Sequence, residues 1–304
     1  MHKKVAVIVV NWNSFSITSD CIQSLQQMNY TDFSIIVTDN GSEDGSVQKF
    51  KEYFSEIILI ESPTNLGFTG GNNLGIQYAI DHGYEYVFLL NNDTFVKKDL
   101  LTILASYMDE NTGIGALQPM IYFNHNRNLL WNGGSYFNSW LGNASVPGHN
   151  KPVSESGQKI KEVDWITGCA FFIRVSVLKQ TGLFTEKMFM YFEDVDLSFR
   201  IKQAGYPLFY HPGSCVYHIA GMSNKSKVKN KEGFINPVVH YLNLRNRIWL
   251  LKKYTRPIHV PAVILFNLCY ILAVMVYFAW RFRFAKLKTV IKAVRDGMTG
   301  SINS

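Results

Sequence analysis

Acidic residues are almost missing from the last quarter of this 304-residue chain: after residue 220 only Glu232 and Asp296 stand against 15 Lys and Arg, a net of +13. Before that point the sign reverses, with 15 Lys and Arg against 21 Asp and Glu, a net of −6, so the overall +7 is not a uniform bias. Such a split asks for an acidic partner at the carboxy-terminal end. Cysteine is scarce as well. Cys21, Cys169, Cys215 and Cys269 lie far apart with no Cys-x-x-Cys pair, which excludes a thiolate zinc site and a disulfide framework and leaves four thiols expected to be buried in a reducing compartment. Charged residues are only 17% and hydrophobic ones 47%, which excludes a disordered or fibrous chain. The first apolar run, Val5–Val10, is six residues long. A signal-peptide core needs ~7–15, so the run is expected to be a strand at a cytosolic end. Asn-x-Ser/Thr triplets such as Asn40-Gly41-Ser42 then read as chance matches.

What the chain does contain begins with four short runs, Val5–Val10, Ile35–Thr38, Ile57–Ile60 and Tyr86–Leu90, rich in aliphatic and aromatic residues and bare of internal charge. Strands buried on both faces of a parallel sheet have this composition. Helical patterns over Ser16–Gln27, Ser46–Phe54 and Gly70–His82 separate them, giving βαβ crossovers and a doubly wound α/β half. Polar groups follow three of the runs: Asn11-Trp12-Asn13, Asp39-Asn40-Gly41-Ser42 and Asn91-Asn92-Asp93. Parallel strands end on one edge, so these groups are expected to converge there on a ligand. From about Gly113 glycines and prolines punctuate aromatic stretches, which predicts mixed strands and an acceptor-side surface.

Each polar group admits two readings. Asp93 can hold Mg²⁺ or Mn²⁺ on a diphosphate through its carboxylate, or Asn-Asn-Asp-Thr can cap a helix over 97–108. Asp39 and Gly41 can meet a nucleotide base or ribose, or form a plain turn with an Asx cap. Asn65-Leu66-Gly67-Phe68-Thr69-Gly70-Gly71-Asn72-Asn73 places glycines at a helix start suited to phosphate, yet it is neither a dinucleotide fingerprint nor a Gly-x-x-x-x-Gly-Lys-Ser/Thr loop. Glu193, Asp194 and Asp196 open a helix over 193–204, where a carboxylate is expected to stay ionised as a base must, while Asp196 and Arg200 at i, i+4 can simply pair. His211 and His218 are isolated histidines, and neither has a ligand pattern of its own.

The tail differs in kind. Tyr241, Leu244, Ile248 and Leu251 share a helical face, and Phe284, Leu287, Ile291 and Val294 share another, opposite Lys288, Lys292 and Arg295. Between them, Ile258–Trp280 is 23 residues with His259 its only titratable side chain. That length suits a membrane span, a hairpin lying in the interface, or a core helix, and positive charge on both flanks gives no orientation. Basic residues bordering an apolar segment point to an anionic membrane surface and away from nucleic acid.

Taken in order, Val9-Val10-Asn11-Trp12-Asn13, Asp39-Asn40-Gly41-Ser42, Asn65-Leu66-Gly67-Phe68 with Gly71-Asn72-Asn73, Asn91-Asn92-Asp93, Thr167-Gly168-Cys169-Ala170, Glu193-Asp194-Val195-Asp196 and His218-x-x-Gly221-x-Ser223 resemble family 2 glycosyltransferases over about residues 4–225. Within that family the chain is most similar to bacterial rhamnosyltransferase-like enzymes of cell-surface polysaccharide assembly. The resemblance implies an α/β GT-A fold, a single Rossmann-like mixed sheet flanked by helices, with catalysis in 1–235 and a basic, apolar, membrane-associated helical region in 236–304. It implies an inverting, metal-dependent transfer from a nucleoside-diphosphate sugar to a glycan or lipid-diphosphate-linked acceptor at the cytoplasmic face of a bacterial membrane. The implied donor is dTDP-rhamnose, ahead of a UDP-hexose, UDP-hexosamine or UDP-galactofuranose, and the oligomeric state stays open.

Residue by residue, the resemblance gives Asp39 the pyrimidine base with Asn11 and Asn13 nearby, and lines the nucleotide with Gly41, Asn65, Gly67, Gly71, Asn72, Asn91 and Asn92. Asp93 and His218 would bind Mg²⁺ or Mn²⁺, although Asn91 stands where the family has its first aspartate. Asp194 would be the catalytic base, with Glu193 and Trp165 bordering the acceptor. A pyrophosphorylase is disfavoured because Asn11-Trp12-Asn13-Ser14 replaces the Gly- and Arg-rich loop it needs. A non-catalytic sugar-nucleotide-binding membrane scaffold is disfavoured by the intact Glu193-Asp194 pair and His218.

Overall fold

The four apolar runs become parallel neighbours: β1 (Val5–Asn11), β2 (Phe33–Asn40), β3 (Ile58–Ser62) and β4 (Tyr86–Leu90). The computed structural model describes residues 3–221, 225–230 and 232–302; Ser223 of the His218 motif lies outside them. The crossovers are α1 (Phe15–Leu25), α2 (Ser46–Tyr53) and α3 (Gly67–Asp81). β1 pairs in parallel with β2 on one side and β4 on the other, and Asn11 stands opposite Asp39. The expected convergence of polar strand ends is therefore present at this edge.

Chain direction then changes. After β4 come β5 (Thr94–Val96), α4 (Leu100–Glu110), β6 (Ala116–Phe123), β7 (Leu130–Asn132), the short strands β8 (Tyr136–Asn138) and β9 (Asn143–Ser145), β10 (Lys161–Val163), β11 (Ala170–Arg174), α5 (Val175–Thr181), α6 (Glu193–Gln203) and β12 (Leu208–His218). β11 runs antiparallel between β4 and β6, giving the order β10-β12-β6-β11-β4-β1-β2-β3, with β5 added on β12 and β7 on β6. This is the mixed sheet expected for the middle region. Alternating side chains feed two cores, one holding Val5, Val7, Val9, Phe88 and Phe172, the other Ala6, Ile8, Val87, Leu89 and Phe171.

The chain divides into two compact units. The first comprises Met1–Tyr136, Val146–Glu186 and Glu193–Ala220; the second takes in Phe137–Ser145 and Lys187–Phe192 with Gly221–Ser304. Two loops from the first 220 residues thus fold with the tail, because their partners lie there.

In the second unit, β13 (Lys225–Asn230) pairs with β14 (Gly233–Ile235), followed by α7 (Pro237–Tyr254), α8 (Val260–Trp280) and α9 (Phe284–Thr299). α7 starts with Asn236 accepting the Val238 N–H at 3.0 Å and Pro237 in the first turn. Leu244, Phe278, Val290 and Ala293 form its core. Of the apolar face of the last helix, Phe284 and Ile291 are exposed and Leu287 and Val294 pack against the core, while Val290, Ala293 and Gly297 turn inward. A Cβ on Gly297 would meet Ile248 at 2.9 Å, so this glycine sets the close approach of α9 to α7. Three of the cysteines are buried as expected, but Cys269 on α8 is exposed.

Candidate active site

A chain of polar side chains lies under the edge where β1, β2 and β4 end. Asn11 donates to Asp39 Oδ2 at 2.8 Å and to Ser42 Oγ at 3.1 Å, and its own Oδ1 accepts from Thr18 Oγ1 at 2.7 Å. Asn92 donates to the same Thr18 hydroxyl at 2.9 Å, which ties β4's end to β1 through α1. Asp39 is 1% exposed, and its Oδ1 accepts the Ser42 N–H at 2.9 Å. The Asx-turn reading of Asp39 therefore holds, with Asn11 on its second carboxylate oxygen. Asn13, at φ 49°, donates its N–H to Ser42 Oγ at 2.9 Å and accepts from the Glu43 N–H at 2.8 Å. Gly41, at φ +74°, permits the turn, since a Cβ there would lie 2.6 Å from the Thr64 carbonyl carbon.

Sheet register brings Asp93 to His218. β5 lies antiparallel on the end of β12 with Thr94 opposite His218, and the Ile219 N–H donates to the Asp93 carbonyl at 2.9 Å. His218 Nε2 then stands 3.0 Å from Asp93 Oδ1, both side chains being buried. The indole of Trp131 meets the imidazole edge to face at 4.6 Å and fixes its plane. The helix-cap reading of Asn91-Asn92-Asp93-Thr94 does not hold, because Thr94 begins β5 and α4 starts only at Leu100. Carboxylate oxygen and imidazole nitrogen meeting at this spacing suit a divalent cation. Among the described residues no group of three His, Cys, Asp or Glu converges for a metal, so an ion here would take its other ligands from a diphosphate and water. His218 Nδ1 is buried with no hydrogen-bond partner among them.

Beside this pair, the turn before β11 carries the next group. Gly168 donates its N–H to Asp194 Oδ2 at 3.0 Å, and Cys169 accepts the Asn91 N–H at 3.0 Å. The Cys169 thiol is raised above its usual range by burial first and then by the nearby Asp93 and Asp194 charges, which puts both carboxylates on its surroundings. Burial pushes Asp194 up to about 6, while the N–H groups of Gly168 and Val195 hold it down. Desolvation outweighs the N–H donors at this helix start and sets the direction of the shift, while a value of about 6 still leaves the carboxylate mostly ionised at neutral pH. Burial, with Asp194 next, raises Glu193 well above the ordinary carboxylate range, and Glu193 Oε2 has no hydrogen-bond partner among the described residues. Asp196 is structural: it accepts from Arg200 Nε and Thr185 Oγ1, each at 3.0 Å.

Gly67 opens α3 three residues before the expected helix start at Gly70, and Gly71 and Asn72 lie inside the helix, as expected. A Cβ on Gly71 would meet Val10 Cγ1 at 2.8 Å, so this glycine packs the helix on the sheet, and Asn72 donates to the Phe68 carbonyl at 2.8 Å. Asn65 accepts the Gly67 N–H at 2.8 Å and holds the helix start. Trp165 donates to the Tyr136 carbonyl at 3.1 Å. Asn91 and Asn92 remain half-buried at the edge. His211 is a core histidine, its Nδ1 accepting the Gly213 N–H.

Thr18, Trp131 and Asn246 belong to no motif in the sequence. Within the second unit, the fully buried Asn246 amide donates to the carbonyls of Met188, Met190 and Tyr191, each at 2.9 Å. This loop holds Phe189, Tyr191 and Phe192 at φ 65°, 75° and 66°, and the peptide after Phe192 begins α6 at Glu193. The segment Phe189-Met190-Tyr191-Phe192 holds no glycine, so nothing in the sequence signals these positive angles.

A family model for glycosyl transferase family 2 matches residues 6–182. The chain is 28% identical over 204 residues to an N-acetylglucosaminyl-diphospho-decaprenol L-rhamnosyltransferase of Mycobacterium tuberculosis, covering 61% of this chain and 66% of that protein. It is 27% identical over 213 residues to rhamnosyltransferase WbbL of Escherichia coli K12, at 66% and 79% coverage. To the low-salt glycan biosynthesis hexosyltransferase Agl10 of Haloferax volcanii it is 27% identical over 221 residues, and it spans only 63% of that protein's length. Among solved structures, mannosyltransferase PcManGT of Pyrobaculum calidifontis, in complex with GDP-Man and Mn²⁺, superposes with a TM-score of 0.58 at 14% identity over 99% of this chain and 76% of that one. GalNAc-T7 with UDP, GalNAc and Mn²⁺ gives 0.61 at 17% identity, with 71% and 43% covered. At these identities the likeness is one of fold.

Proposed function

This chain belongs to glycosyl transferase family 2, and on that premise we propose that it is an inverting, divalent-metal-dependent glycosyltransferase that moves a sugar from a nucleoside diphosphate to a hydroxyl of a glycan or lipid-diphosphate-linked acceptor. The observation that carries the reading is the meeting of Asp93 and His218 at 3.0 Å beside the Gly168 turn that holds Asp194. Asp194 takes the acceptor hydroxyl proton as that oxygen bonds the anomeric carbon, and the bond from carbon to phosphate oxygen breaks with its electrons leaving on the nucleoside diphosphate. Mg²⁺ or Mn²⁺ held by Asp93 and His218 would supply positive charge for that leaving group. The Asn11, Asp39, Ser42 network orients the base and ribose side, and the buried Glu193 carboxyl borders the acceptor with Trp165.

Two relatives named as rhamnosyltransferases support dTDP-rhamnose as donor, and the diphospho-decaprenol in one name supports a lipid-diphosphate acceptor. The basic tail and α8 support a place at the cytoplasmic face of a membrane. A donor panel, with release of nucleoside diphosphate measured in Mg²⁺ and Mn²⁺, tests the reading. Release from dTDP-rhamnose is expected; release from UDP-sugars alone would refute the donor, and none from any donor would refute the transfer. Asp93→Ala is expected to lose metal-dependent nucleotide binding by calorimetry, and unchanged binding would remove Asp93 from the site.

A further inference from the structure

α8 has 21 residues, which at ~1.5 Å per residue gives a length that could cross a bilayer. Its two sides are unlike. Val263 and Phe278 are buried, Ile271, Val274 and Met275 pack toward the same side, and Asn267 accepts from Arg247 Nε at 2.7 Å and donates to the Leu141 carbonyl at 3.1 Å. On the other side Leu265, Leu268, Leu272, Val276 and Trp280 repeat at helical spacing and are 64%, 51%, 51%, 67% and 72% exposed.

The packed side meets side chains of α7 at three levels, running in the opposite direction. His240 lies against Phe278 with ring centroids 5.0 Å apart; Arg247 reaches Asn267 and stands 5.1 Å over the Tyr270 ring; Leu251 and Val263 both close over Gly142. α7 also carries Arg245, Lys252 and Lys253, and through Asn246 it holds the carbonyls of the 188–191 loop. α8 therefore cannot enter hydrocarbon alone. A crossing would draw these charges and an irregular loop in with it, where neither has water to satisfy it.

We propose that α8 lies in the plane of an anionic lipid surface and does not cross it, with the stripe from Leu265 to Trp280 in the acyl boundary. This rests on the membrane-associated reading of the tail given above. Charge selects the occupant: Arg256 and Arg281 are exposed at the two ends of α8, and Lys288, Lys292 and Arg295 are exposed on α9. Anionic headgroups complement these cations, whereas a second copy would bring a region of net +13 against its like. Exposed Phe282 and Phe284 follow Trp280 at the depth where an aromatic belt sits.

The test uses the whole chain with an environment-sensitive fluorophore on Cys269, which needs no substitution because the other three cysteines are buried. Single cysteines from L265C, L272C and W280C, each in a C269S background, extend it along the stripe. Phosphatidylglycerol vesicles are compared with phosphatidylcholine, and brominated acyl chains report depth. Blue shifts on the anionic vesicles, with all positions quenched from one shallow depth, are the expected result. Deep quenching at 272 with shallow quenching at 265 and 280 would overturn the in-plane geometry and leave membrane association standing. Absence of any shift would overturn both, and a concentration-dependent shift without vesicles would assign the stripe to a second copy of the chain.

Discussion

A general base works only in its ionised form, so the environment of Asp194 sets the acidic limb of the proposed transfer. Its raised value of about 6 predicts that activity rises with pH through that region and levels above it, provided the acceptor and donor are saturating. Asp194→Asn is expected to remain folded and lose ~10²–10⁴-fold in turnover; near-normal turnover would remove Asp194 from the role. Stability carries the same shift with a definite sign. The folded value is raised above the unfolded one, so the folded state takes up a proton, and the associated stability is present at pH below 3.8 and lost as pH passes about 6. Wild type should therefore lose melting temperature relative to Asp194→Asn between pH 4 and pH 7, measured as the difference between the two proteins; a difference that is flat with pH would contradict the burial argument. Motif order picks out Asp93, His218 and Asp194, but the direction of the Asp194 shift is not carried by it. It depends on desolvation by neighbours distant in sequence, and residue type at a helix start suggests the opposite.

Elements explain which parts of the site were legible. Apolar runs are dictated by burial on both sheet faces, so β1 to β4 and the polar ends of three of them follow from composition alone. The partnership of Asp93 with His218 requires β5 to pair antiparallel with the end of β12, a register set by contacts remote in the chain. Thr18 looks like any polar residue of an amphipathic helix until Asn11 and Asn92 are seen on its hydroxyl. Asn246 is the same case on α7. With the Asn246 amide removed, the carbonyls of Met188, Met190 and Tyr191 lose their shared donor, and the positive-φ segment leading to α6 loses its anchor. Asn246→Ala is accordingly expected to cost roughly 1–3 kcal/mol in denaturant unfolding. Asn246→Asp, equal in shape but an acceptor facing acceptors, should cost more. If Ala and Asp were both neutral, the hydrogen bonds would not be holding the loop.

At the scale of the whole chain the two charge signs do different work. The −6 of the first 220 residues includes the buried carboxylates Asp39, Asp93 and Glu193, while the +13 beyond residue 220 accompanies a helix with no charge between His259 and Arg281. Exposed cations on α9 and at the ends of α8 act at a distance and are screened, with a Debye length falling from ~10 Å at 0.1 M salt to ~3 Å at 1 M. Each well-placed Lys or Arg near an anionic surface is worth about 1 kcal/mol at low salt. The apolar stripe of α8 is not screened, since removing hydrocarbon from water does not depend on ionic strength in this way. Sedimentation with phosphatidylglycerol vesicles should therefore show affinity that falls as salt is raised and then reaches a plateau above zero. Affinity independent of salt would leave the +13 without a partner, and complete release at 1 M would mean that the stripe does not reach the acyl boundary.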